Sequence, residues 1–580
     1  MPRPERELIE RVLATAGHVD HGKSALVHAL TGVDPDRWEE EQRRGMTIDL
    51  GFAHVAPTSD TVVTFIDVPG HIDFLRNMIA GLAGVDGCVF IVAADDGWMP
   101  QSEEHLRILQ LLGVERGIVA VTKSDLVDED LLELAMAEVA DRVAGTFLDG
   151  APIIAVSARR GDGLEALRAA LAELVSTSAD DADRARPRLW VDRVFTIQGS
   201  GTVVTGSLRG GRFTVDDDVE LAPTGARSRI RALQLRGRAV DVAASGTRVA
   251  ANLVGIERMS IRRGDVLVHP QRWSGTACVD ASVEVLGSLR RPIGRRGAYV
   301  VYVGTRAVAV QLRLIGAGEI APGSTGFARI FLPEPLPLLP GDRYVLRESG
   351  RSITVGGGEI LDIAPVRKIN AATPDRSIDR VVRERGWIDV HELELLTGAA
   401  VEPTVGRWAA SEQAFESARS RLDDAVRSAG PAGLRVAELG EFDRAVVAAL
   451  DSVVVTAGVA RHASVPDLFD DHPAIRILRD GGLTPSPPDA DRATLRELVR
   501  RGLVLESGGI VFHPDAVERA ADAAAGLLAS SPDGFTVSSF CAAAGTSRKF
   551  ALPLLNELDR RGVLRRAGDR RIAGPRMAKR

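Results

Sequence analysis

Hydrophobic residues in the first 175 positions fall into short runs that alternate with amphipathic stretches. Apolar runs of about five residues separated by helical periodicity are typical of β-α-β units and predict a parallel sheet. We therefore predict an α/β domain over residues 8–175 and a linker after it. The predicted strands are Val12–Ala16, Val62–Asp67, Cys88–Ala93, Gly117–Thr122 and Ile153–Ser157.

The pattern changes after Leu189, where short alternating strands are separated by glycine turns. A break without regular periodicity at residues 270–274 divides these strands into two sets. Successive all-β units of this size are typical of small closed barrels. We therefore predict one β-barrel over residues 189–270 and a second over residues 275–367.

Helical periodicity dominates after Ala371. Several helices end in glycine and pass into a short strand pair, which favours winged-helix modules, although a plain helical bundle gives a similar periodicity. We predict winged helices at 475–525 and 530–580. Residues 372–474 are predicted to hold further winged-helix modules, whose number the pattern does not define.

Composition narrows the class of protein. The chain has 580 residues, of which 45% are hydrophobic and 26% charged, and these values exclude a disordered or fibrous chain. The 3 cysteines lie far apart, which excludes a disulfide framework and a CxxC zinc site. We see no apolar run of signal-peptide or membrane-span type, so we expect a reduced cytoplasmic protein with no membrane partner.

A segment with the sequence GHVDHGKS follows the first predicted strand and opens a helix. It matches the pattern GxxxxGK[ST], in which glycines let the backbone wrap phosphates and N–H groups at a helix N-terminus bind them. Lys23 is expected to reach the β- and γ-phosphates, and the Ser24 hydroxyl to bind Mg²⁺. The predicted phosphate-binding residues are Gly17, His18, Val19, Asp20, His21, Gly22, Lys23 and Ser24.

Further motifs extend this segment to a complete nucleotide site. Asp67 ends a strand and is expected to hold Mg²⁺, while Gly70 offers a backbone N–H to the γ-phosphate. Thr47 lies between the two motifs and is predicted to join the Mg²⁺ ligands as part of a mobile switch. A carboxylate such as Asp125 accepts hydrogen bonds from the N1–H and 2-amino groups of guanine. Adenine has no such pair of donors, so this motif favours guanine. The predicted base-binding residues are Thr122, Lys123, Asp125, Ser157 and Ala158.

These motifs resemble those of translational GTPases of the EF-Tu type. GHVDHGKS, RGMTIDLGF and DVPGH match that family's first three boxes closely, and residues 199–206 and 343–350 resemble strands of its second and third domains. The sequence MTIDLGF, TKSD in place of the usual NKxD, and a long C-terminal extension are similar to the selenocysteine-specific elongation factors, the SelB family. Residues 545–569 resemble the last winged helix of that family.

The resemblance implies a GTP-hydrolysing elongation factor with GTP and Mg²⁺ as cofactors. Such a protein binds selenocysteinyl-tRNA and delivers it to the ribosomal A site at UGA codons marked by an mRNA hairpin (SECIS). Its partners are therefore that tRNA, the hairpin and the ribosome, and we expect a monomer. His71 resembles the residue that orients the attacking water, with Val19 and Met46 as an apolar gate.

Asparagine usually braces the phosphate-binding loop at the position that Thr122 occupies here. We therefore expect a weaker grip on the nucleotide, spontaneous nucleotide exchange, and no need for a separate exchange factor.

Selenocysteine suggests a specific chemistry for the aminoacyl pocket. A selenol has a much lower pKa than an alcohol or a thiol, so it arrives as an anion. A pocket that prefers it over serine should present fixed positive charge, which arginine supplies. Asp192, Arg193 and Arg248 lie at positions similar to the family's aminoacyl pocket, although both arginines are also suited to ordinary ion pairs.

Basic residues are concentrated at the C-terminus. The last 50 residues carry 11 basic and 4 acidic side chains in a chain whose net charge is −7. Such asymmetry favours nucleic-acid binding, although a charged run is often only a solvated surface. With the resemblance, it indicates binding of the SECIS-type hairpin. The expected RNA contacts are Thr546, Ser547, Arg548, Lys549, Arg565 and Arg566.

Three other functions are compatible with parts of the sequence. A general EF-Tu-like carrier and a related sulfate-activation GTPase share the nucleotide motifs, but TKSD and the C-terminal extension argue against both. A GTP-regulated DNA-binding regulator would also use winged helices. Barrels of the tRNA-holding type argue against that regulator.

Overall fold

The computed structural model describes residues 9–35, 47–58, 60–71, 74–82, 84–177, 183–197, 201–295, 297–465, 469 and 471–577. The chain forms two compact units. One extends to Thr404 and includes Trp408–Ser411, and the other contains Val405–Arg407 and the chain from Glu412 onward.

The first domain is built on a mostly parallel sheet with strand order β2-β3-β1-β4-β5-β6, in which only β2 runs antiparallel to its neighbour. Its central strands are buried on both faces, as continuous apolar runs predict. The strands are β1 (Ile9–Gly17), β2 (Gly51–Val55), β3 (Thr61–Asp67), β4 (Gly87–Ala93), β5 (Gly117–Thr122) and β6 (Ile153–Ala155). The helices are α1 (Lys23–Thr31), α2 (Leu75–Leu82), α3 (Pro100–Leu111), α4 (Glu129–Val143) and α5 (Leu164–Ser176).

Parallel strands place the residues that follow them at one edge of the sheet. Strand β1 leads into the GHVDHGKS segment, β3 ends at Asp67, and β5 ends at Thr122. The residues predicted for nucleotide binding therefore meet at this edge, where open α/β sheets bind ligands. The α/β fold predicted for residues 8–175 is confirmed by this sheet.

The second domain is a barrel in which β10, β15, β7, β8, β14 and β11 follow one another and β10 pairs with β11 to close the ring. Alternate residues of its strands point inward and form an apolar core. The strands are β7 (Arg188–Ile197), β8 (Gly201–Arg209), β9 (Phe213–Thr214), β10 (Asp218–Ala222), β11 (Ala226–Leu235), β12 (Arg238–Val240), β13 (Val242–Ala243), β14 (Arg248–Leu253) and β15 (Val266–Val268).

The third domain is also a closed barrel, with the order β16-β21-β19-β18-β22-β23 and an apolar core of its own. Its residue Val345 is fully buried within the hydrophobic core of the first domain, so these two domains share a packed interface. The strands are β16 (Gly275–Val285), β17 (Ile293–Gly294), β18 (Tyr299–Val303), β19 (Arg306–Ile315), β20 (Glu319–Ile320), β21 (Thr325–Pro337), β22 (Arg343–Glu348) and β23 (Ile353–Asp362).

A small helical module completes the first unit. It consists of α6 (Ile378–Arg385), β24 (Trp387–Asp389), α7 (Val390–Thr397) and β25 (Trp408–Ala410), with β24 and β25 paired antiparallel. Arg380 on α6 lies 2.9 Å from Asp362 at the end of β23, and both side chains are buried. This buried ion pair fixes the module to the third domain.

The second unit contains further helices that alternate with short antiparallel strands. The helices are α8 (Glu412–Ser428), α9 (Glu441–Ala448), α10 (Pro473–Asp480), α11 (Arg492–Arg500), α12 (Pro514–Ser530), α13 (Val537–Ala544) and α14 (Arg548–Arg560). The strands are β26 (Leu434–Arg435), β27 (Val453–Thr456), β28 (Val459–His462), β29 (Leu505–Ser507), β30 (Ile510–Phe512), β31 (Phe535–Thr536), β32 (Leu564–Ala567) and β33 (Arg570–Ala573).

Two of the predicted module boundaries are wrong. The boundary between 474 and 475 falls inside α10, and the gap between 525 and 530 falls inside α12. Both helices begin with proline at the first helical position, after a histidine whose side chain accepts a hydrogen bond from the helix backbone. Proline at that position starts a helix, so Pro473 begins α10 just before the predicted boundary at 475. The predicted gap at 525–530 instead interrupts the last turns of α12.

Among the described residues, no helix has both the length and the apolar composition needed to cross a lipid bilayer.

Candidate functional site

The loop between β1 and α1 has the geometry of an anion-binding site. Gly17 has φ 138° and Gly22 has φ 79°, which only glycine adopts without strain, and a Cβ at Gly17 would come within 2.1 Å of the Ile91 carbonyl oxygen. The Lys23 ammonium donates to the carbonyl oxygens of His18 at 2.6 Å and Gly17 at 3.3 Å. The backbone therefore curves around a lysine at the start of a helix, an arrangement suited to phosphate.

Three oxygen-bearing side chains meet beside this loop. The Ser24 hydroxyl donates to the Asp67 carboxylate at 2.6 Å and lies 2.9 Å from the Thr47 hydroxyl. Asp67 is fully buried, and its second oxygen accepts a hydrogen bond from Thr15 at 2.7 Å. Sequence reasoning missed Thr15, which orients the carboxylate. Hydroxyl and carboxylate oxygens in this arrangement are ligands that a hard divalent cation prefers.

Gly70 packs directly on the phosphate-binding loop. A Cβ at this position would lie 2.5 Å from Lys23 Nζ and 2.7 Å from the Val19 backbone nitrogen, so only glycine fits. His71 follows, and its ring centroid is 6.0 Å from that of Phe74. Met46, the predicted gate partner of Val19, lies outside the described residues.

Helix α3 supplies two contacts to the loop that sequence reasoning missed. Gly17 N donates to His105 Nδ1 and Val19 N donates to Gln101 Oε1, both at 3.0 Å. Burial, together with the nearby Lys23, lowers the pKa of His105 to about 3. Burial and the neighbouring His18 lower the pKa of His21 to about 4. Both histidines are therefore neutral at physiological pH.

The loop after β5 is tied to the phosphate-binding loop by a hydroxyl. Thr122 Oγ1 donates to the His21 carbonyl oxygen at 2.6 Å. Threonine therefore also braces the phosphate-binding loop at this position, while the expected weaker grip on the nucleotide stays a prediction.

The predicted base-binding residues lie on the adjacent loops. Lys123 Nζ is 3.0 Å from an Asp95 carboxylate oxygen. Ser157 Oγ donates to Asp125 at 2.7 Å, and this hydrogen bond lowers the pKa of the Asp125 carboxyl. Ala158 follows Ser157 in the loop after β6. A half-buried, anionic Asp125 beside a lysine is well suited to accept the N–H groups of guanine.

The structure brings the predicted aminoacyl residues together in the second domain. Arg248 makes two hydrogen bonds to Asp192, at 2.9 and 3.1 Å, and a third to Thr205 at 3.0 Å. Arg193 lies 3.6 Å from Asp49. Both guanidinium groups are thus paired with carboxylates, so the pocket presents less net positive charge than two free arginines would.

An aromatic ring from the first domain completes this pocket. The Phe52 ring on β2 faces both guanidinium groups, with its centroid 3.5 Å from Arg248 Cζ and 4.8 Å from Arg193 Cζ. Arg193 also donates to the Leu50 carbonyl oxygen just before that strand. The pocket wall therefore continues from the segment that contains Thr47. Sequence reasoning missed Phe52 because the ring comes from another domain.

The C-terminal basic residues differ in their contacts. Arg560 and Arg561 bond to Glu557 at 2.6 and 2.7 Å, and Arg571 bonds to Asp559 at 3.1 Å, so these three are held in ion pairs. Of the three, Arg571 is buried, whereas the Arg560 side chain is 71% exposed. The residues predicted to contact RNA lie exposed at the start of α14 and on β32, and they are Arg548, Lys549, Arg565 and Arg566.

The two polar residues before α14 differ from each other. Thr546 Oγ1 donates to the Leu483 carbonyl oxygen at 3.1 Å, so this threonine fixes the loop rather than offering its donor to a phosphate. Ser547 is exposed at the N-cap position and makes no capping bond with its side chain. The start of α14 therefore presents a free hydroxyl, helix N–H groups and two cations.

Comparison with known proteins adds sequence relationships to this geometry. Residues 10–177 match the model of the elongation factor Tu GTP binding domain, residues 280–367 that of the selenocysteine-specific elongation factor β-barrel domain, and residues 527–573 that of the elongation factor SelB winged helix. A selenocysteine-specific elongation factor of Desulfomicrobium baculatum is 40% identical over 75% of this chain and 71% of its own length.

The chain belongs to the family of selenocysteine-specific elongation factors. It is a translational GTPase and binds guanine nucleotide. The Escherichia coli member is 36% identical over 62% of this chain and 56% of its own length. Elongation factor Tu 2 of Streptomyces avermitilis is 33% identical over 96% of its own length, but that match covers only 60% of this chain. Membership of this family argues against the general carrier, the sulfate-activation GTPase and the DNA-binding regulator.

Solved structures of the family share the architecture. The crystal structure of a bacterial selenocysteine-specific elongation factor EF-Sec matches with a TM-score of 0.72 and 25% identity over 98% of this chain and all of that one. SelB of Methanococcus maripaludis in complex with the GTP analogue GPPNHP matches with a TM-score of 0.54 and 23% identity over 62% of this chain. The predicted order of a GTPase domain, two barrels and winged helices is confirmed.

Proposed function

We propose that this protein binds selenocysteinyl-tRNA in its GTP form and delivers it to the ribosomal A site at UGA codons marked by an mRNA hairpin. GTP hydrolysis then follows codon recognition. The observation that carries the proposal is the pair Arg193 and Arg248, which faces Phe52 in a pocket joined to the segment of Thr47. The protein acts as a monomer with the ribosome as its third partner.

The nucleotide contacts follow from the donors and acceptors at the sheet edge. Backbone N–H groups of residues 17–24 surround the phosphates, and Lys23 neutralises charge on the β- and γ-phosphates. Asp125 accepts the N1–H and 2-amino groups of guanine, and Ala158 offers its N–H to the base. Lys123 packs along the ring, while Ser157 holds Asp125 in place.

Ser24, Thr47 and Asp67 would hold Mg²⁺. Their fit rests on the short contacts among the three oxygens and on the complete burial of Asp67. When bound, the ion supplies positive charge that offsets the phosphate oxygens. Thr15 keeps the carboxylate of Asp67 oriented toward this position.

His71 orients the water that attacks the γ-phosphate. This role is supported by Gly70, which packs against Lys23 and Val19 and directly precedes His71 in the chain. Charge that develops on the γ-phosphate is stabilised by Lys23 and by the Gly70 N–H. Before the ribosome rearranges the site, an apolar gate that includes Val19 restrains His71, and Met46, the second predicted residue of this gate, lies outside the described residues.

Selenolate specificity arises from guanidinium groups that are held in place. Asp192 and Asp49 fix the two arginines, and Phe52 restricts their approach from one side. A selenolate gains a charge-assisted hydrogen bond in such a pocket, whereas the neutral serine hydroxyl gains much less. Discrimination against serine therefore depends on the charge of the selenolate.

The mRNA hairpin binds at the start of α14. Arg548, Lys549, Arg565 and Arg566 contact its phosphates, and Ser547 adds a hydroxyl donor beside the helix N-terminus. Thr546 acts indirectly, since it anchors the loop to Leu483.

Replacement of Arg248 tests the function most simply. In Arg248→Gln the preference for selenocysteinyl-tRNA over the same tRNA carrying serine should fall by about tenfold or more, because one charge-assisted bond is lost. Because Asp192 is then left without its cation, the double variant Asp192→Asn/Arg248→Gln should give the same loss with balanced charge. Arg227→Gln, on the outer face of the same barrel, is the control. An unchanged preference in both pocket variants would contradict the proposal.

A further inference from the structure

Arg263 links the second domain to two separate segments of the GTPase domain. It lies in the loop between β14 and β15, and its Nη1 donates to Asp49 Oδ1 at 3.1 Å and to Asn77 Oδ1 at 3.0 Å. Asp49 comes two residues after Thr47, and Asn77 lies on α2, six residues after His71. One nitrogen atom therefore contacts both the segment of the predicted Mg²⁺ ligand and the helix that follows the predicted catalytic histidine.

These two segments also bond to each other. Asn77 Nδ2 donates to the Ile48 carbonyl oxygen at 2.9 Å, directly between Thr47 and Asp49. The contacts form a closed set in which Arg263 bonds to both segments and each segment bonds to the other. A shift of either segment relative to the other would break at least one bond to Arg263.

The remaining donors of Arg263 do not explain why an arginine occupies this position. Its side chain is 23% exposed, and within the described part of the chain Nε and Nη2 have no hydrogen-bond acceptor. Buried donors without acceptors reduce stability, so the residue is not optimised for packing. Its two hydrogen bonds to the GTPase domain are the interactions that account for it.

Arg263 also borders the proposed aminoacyl pocket. It lines a cleft of about 820 Å³ together with Asp192, Arg193, Phe195 and Met259. The same side chain thus contacts both switch segments on one side and a ligand cleft on the other.

We propose that Arg263 is a positioning residue that couples the arrangement of the two switch segments to the second-domain cleft. Its two bonds form only when the Thr47 segment and α2 adopt the relative positions seen here, in which Thr47 reaches Ser24. Arg263 therefore stabilises the nucleotide state that orders both segments and aligns the cleft in that state. By reciprocity, a ligand that fills the cleft strengthens GTP binding to the same degree. The part that concerns the cleft rests on the proposed function, whereas the part that concerns nucleotides does not.

The test compares Arg263→Gln with Arg227→Gln in the full chain. Arg227 lies on β11 of the same barrel with a 70% exposed side chain, so its replacement removes an equal charge away from the cleft. The first measurement is the ratio of dissociation rates of fluorescent GTP and GDP analogues. Arg263→Gln should raise the GTP rate relative to the GDP rate by about tenfold, a typical coupling between sites. Arg227→Gln should leave the ratio unchanged, and Arg263→Lys should restore part of it.

A double-variant cycle separates coupling from general damage. If Arg263 acts through Asn77, then Asn77→Ala should alter the GTP-to-GDP ratio less in Arg263→Gln than in the wild-type background. Some effect should remain in Arg263→Gln, because the bond from Asn77 to Ile48 does not involve Arg263. The second measurement is the binding of selenocysteinyl-tRNA with a GTP analogue, where Arg263→Gln should reduce the GTP-dependent gain in affinity.

Each outcome has a defined meaning. Equal ratios in Arg263→Gln and Arg227→Gln, or fully additive effects in the cycle, would overturn the inference. Arg263→Gln could shift the nucleotide ratio while the wild-type protein fails to retain selenocysteinyl-tRNA. That result would support the coupling and contradict the proposed function instead.

Discussion

At the residue scale, the nucleotide site depends on bonds that join its loops to one another. Thr122 ties the base-binding loop to the His21 carbonyl, Thr15 orients Asp67, and His105 accepts the Gly17 N–H. Each bond crosses from one element to another, so the site is held by the sheet edge as a whole. Since Thr122 retains the brace, its presence alone does not account for spontaneous nucleotide exchange.

Replacement of Thr122 by valine keeps the shape of the side chain and removes its hydroxyl. The bond to His21 contributes about 1 kcal/mol, so GTP and GDP should both dissociate roughly fivefold faster, with their ratio unchanged. Stopped-flow measurement with fluorescent nucleotides provides the rates. Thr177→Val makes the same chemical change at the exposed end of α5 and should have no effect. Unaltered rates in Thr122→Val would mean that the brace contributes nothing.

The buried histidines make stability depend on pH. His105 has a pKa of about 3 in the folded protein, far below the value of 6.5 for a free histidine. Below pH 6.5 the unfolded chain takes up a proton that the folded chain does not, so the free energy of unfolding falls as pH falls toward 3. The slope is about 1.4 kcal/mol per pH unit for each such histidine.

His105→Gln removes this titration and keeps an acceptor for Gly17 N. Between pH 6.5 and 4.5 the variant should lose about 2–3 kcal/mol less than the wild type. Hydrogen exchange of peptides from β1 and α3, followed over a series of urea concentrations, measures the free energy of unfolding of both proteins at each pH. Identical pH slopes in the two proteins would show that His105 does not titrate as its burial requires.

Sequence patterns revealed only part of this site. The phosphate-binding loop, Asp67 and Asp125 each belong to a local motif, and a local motif can be recognised in the sequence without knowledge of the fold. Gln101 and His105 lie on a helix far along the chain from the loop that they contact. Nothing near Arg263 predicts bonds to Asp49 and Asn77, because those bonds exist only once two domains have packed.

At the element scale, helices and strands form where the apolar periodicity predicts them, and errors concentrate at boundaries. A predicted boundary falls just inside the start of α10, and a predicted gap falls in the last turns of α12. For helix α14, the sequence predicts the basic residues at its start. The bond from Thr546 to the Leu483 carbonyl oxygen could be seen only in the folded structure.

The start of α14 should carry RNA affinity that an exposed arginine already held in an ion pair does not. Removing one phosphate contact with Arg548→Ala or Lys549→Ala should weaken binding of a hairpin from a selenoprotein message and lower the slope of log K against log salt by about 0.7–0.9. Filter binding over a salt series measures both. Arg560→Ala is the matched control, since Arg560 bonds to Glu557 on the same helix. Equal losses in all three variants would place the RNA elsewhere.

Helix α6 should depend on its buried ion pair. The side chains of Arg380 and Asp362 are only 6% and 5% exposed, so Arg380→Ala leaves a carboxylate buried without its cation. Such a loss costs about 3–5 kcal/mol. Hydrogen exchange of α6 and α7 should therefore accelerate strongly, whereas Arg383→Ala, on the exposed side of the same helix, should leave it unchanged. Slow exchange in Arg380→Ala would show that other contacts hold the module.

At the scale of the whole molecule, the proposed nucleotide, aminoacyl and RNA sites lie in different domains. The residues proposed for the first two share one compact unit, where Phe52 and Arg263 connect the GTPase domain to the second domain. The residues proposed to bind RNA lie in the other unit. This division suits a carrier that binds its nucleotide and its tRNA in one unit and the mRNA hairpin in the other.

The most direct test of the account is retention of charged tRNAs on the purified protein, with a GTP analogue or with GDP. The tRNAs to compare are selenocysteinyl-tRNA, the same tRNA carrying serine, and bulk aminoacyl-tRNA. The account predicts strong retention of selenocysteinyl-tRNA alone, and only with the GTP analogue. Equal retention of all three, or retention that does not depend on the nucleotide, would contradict it.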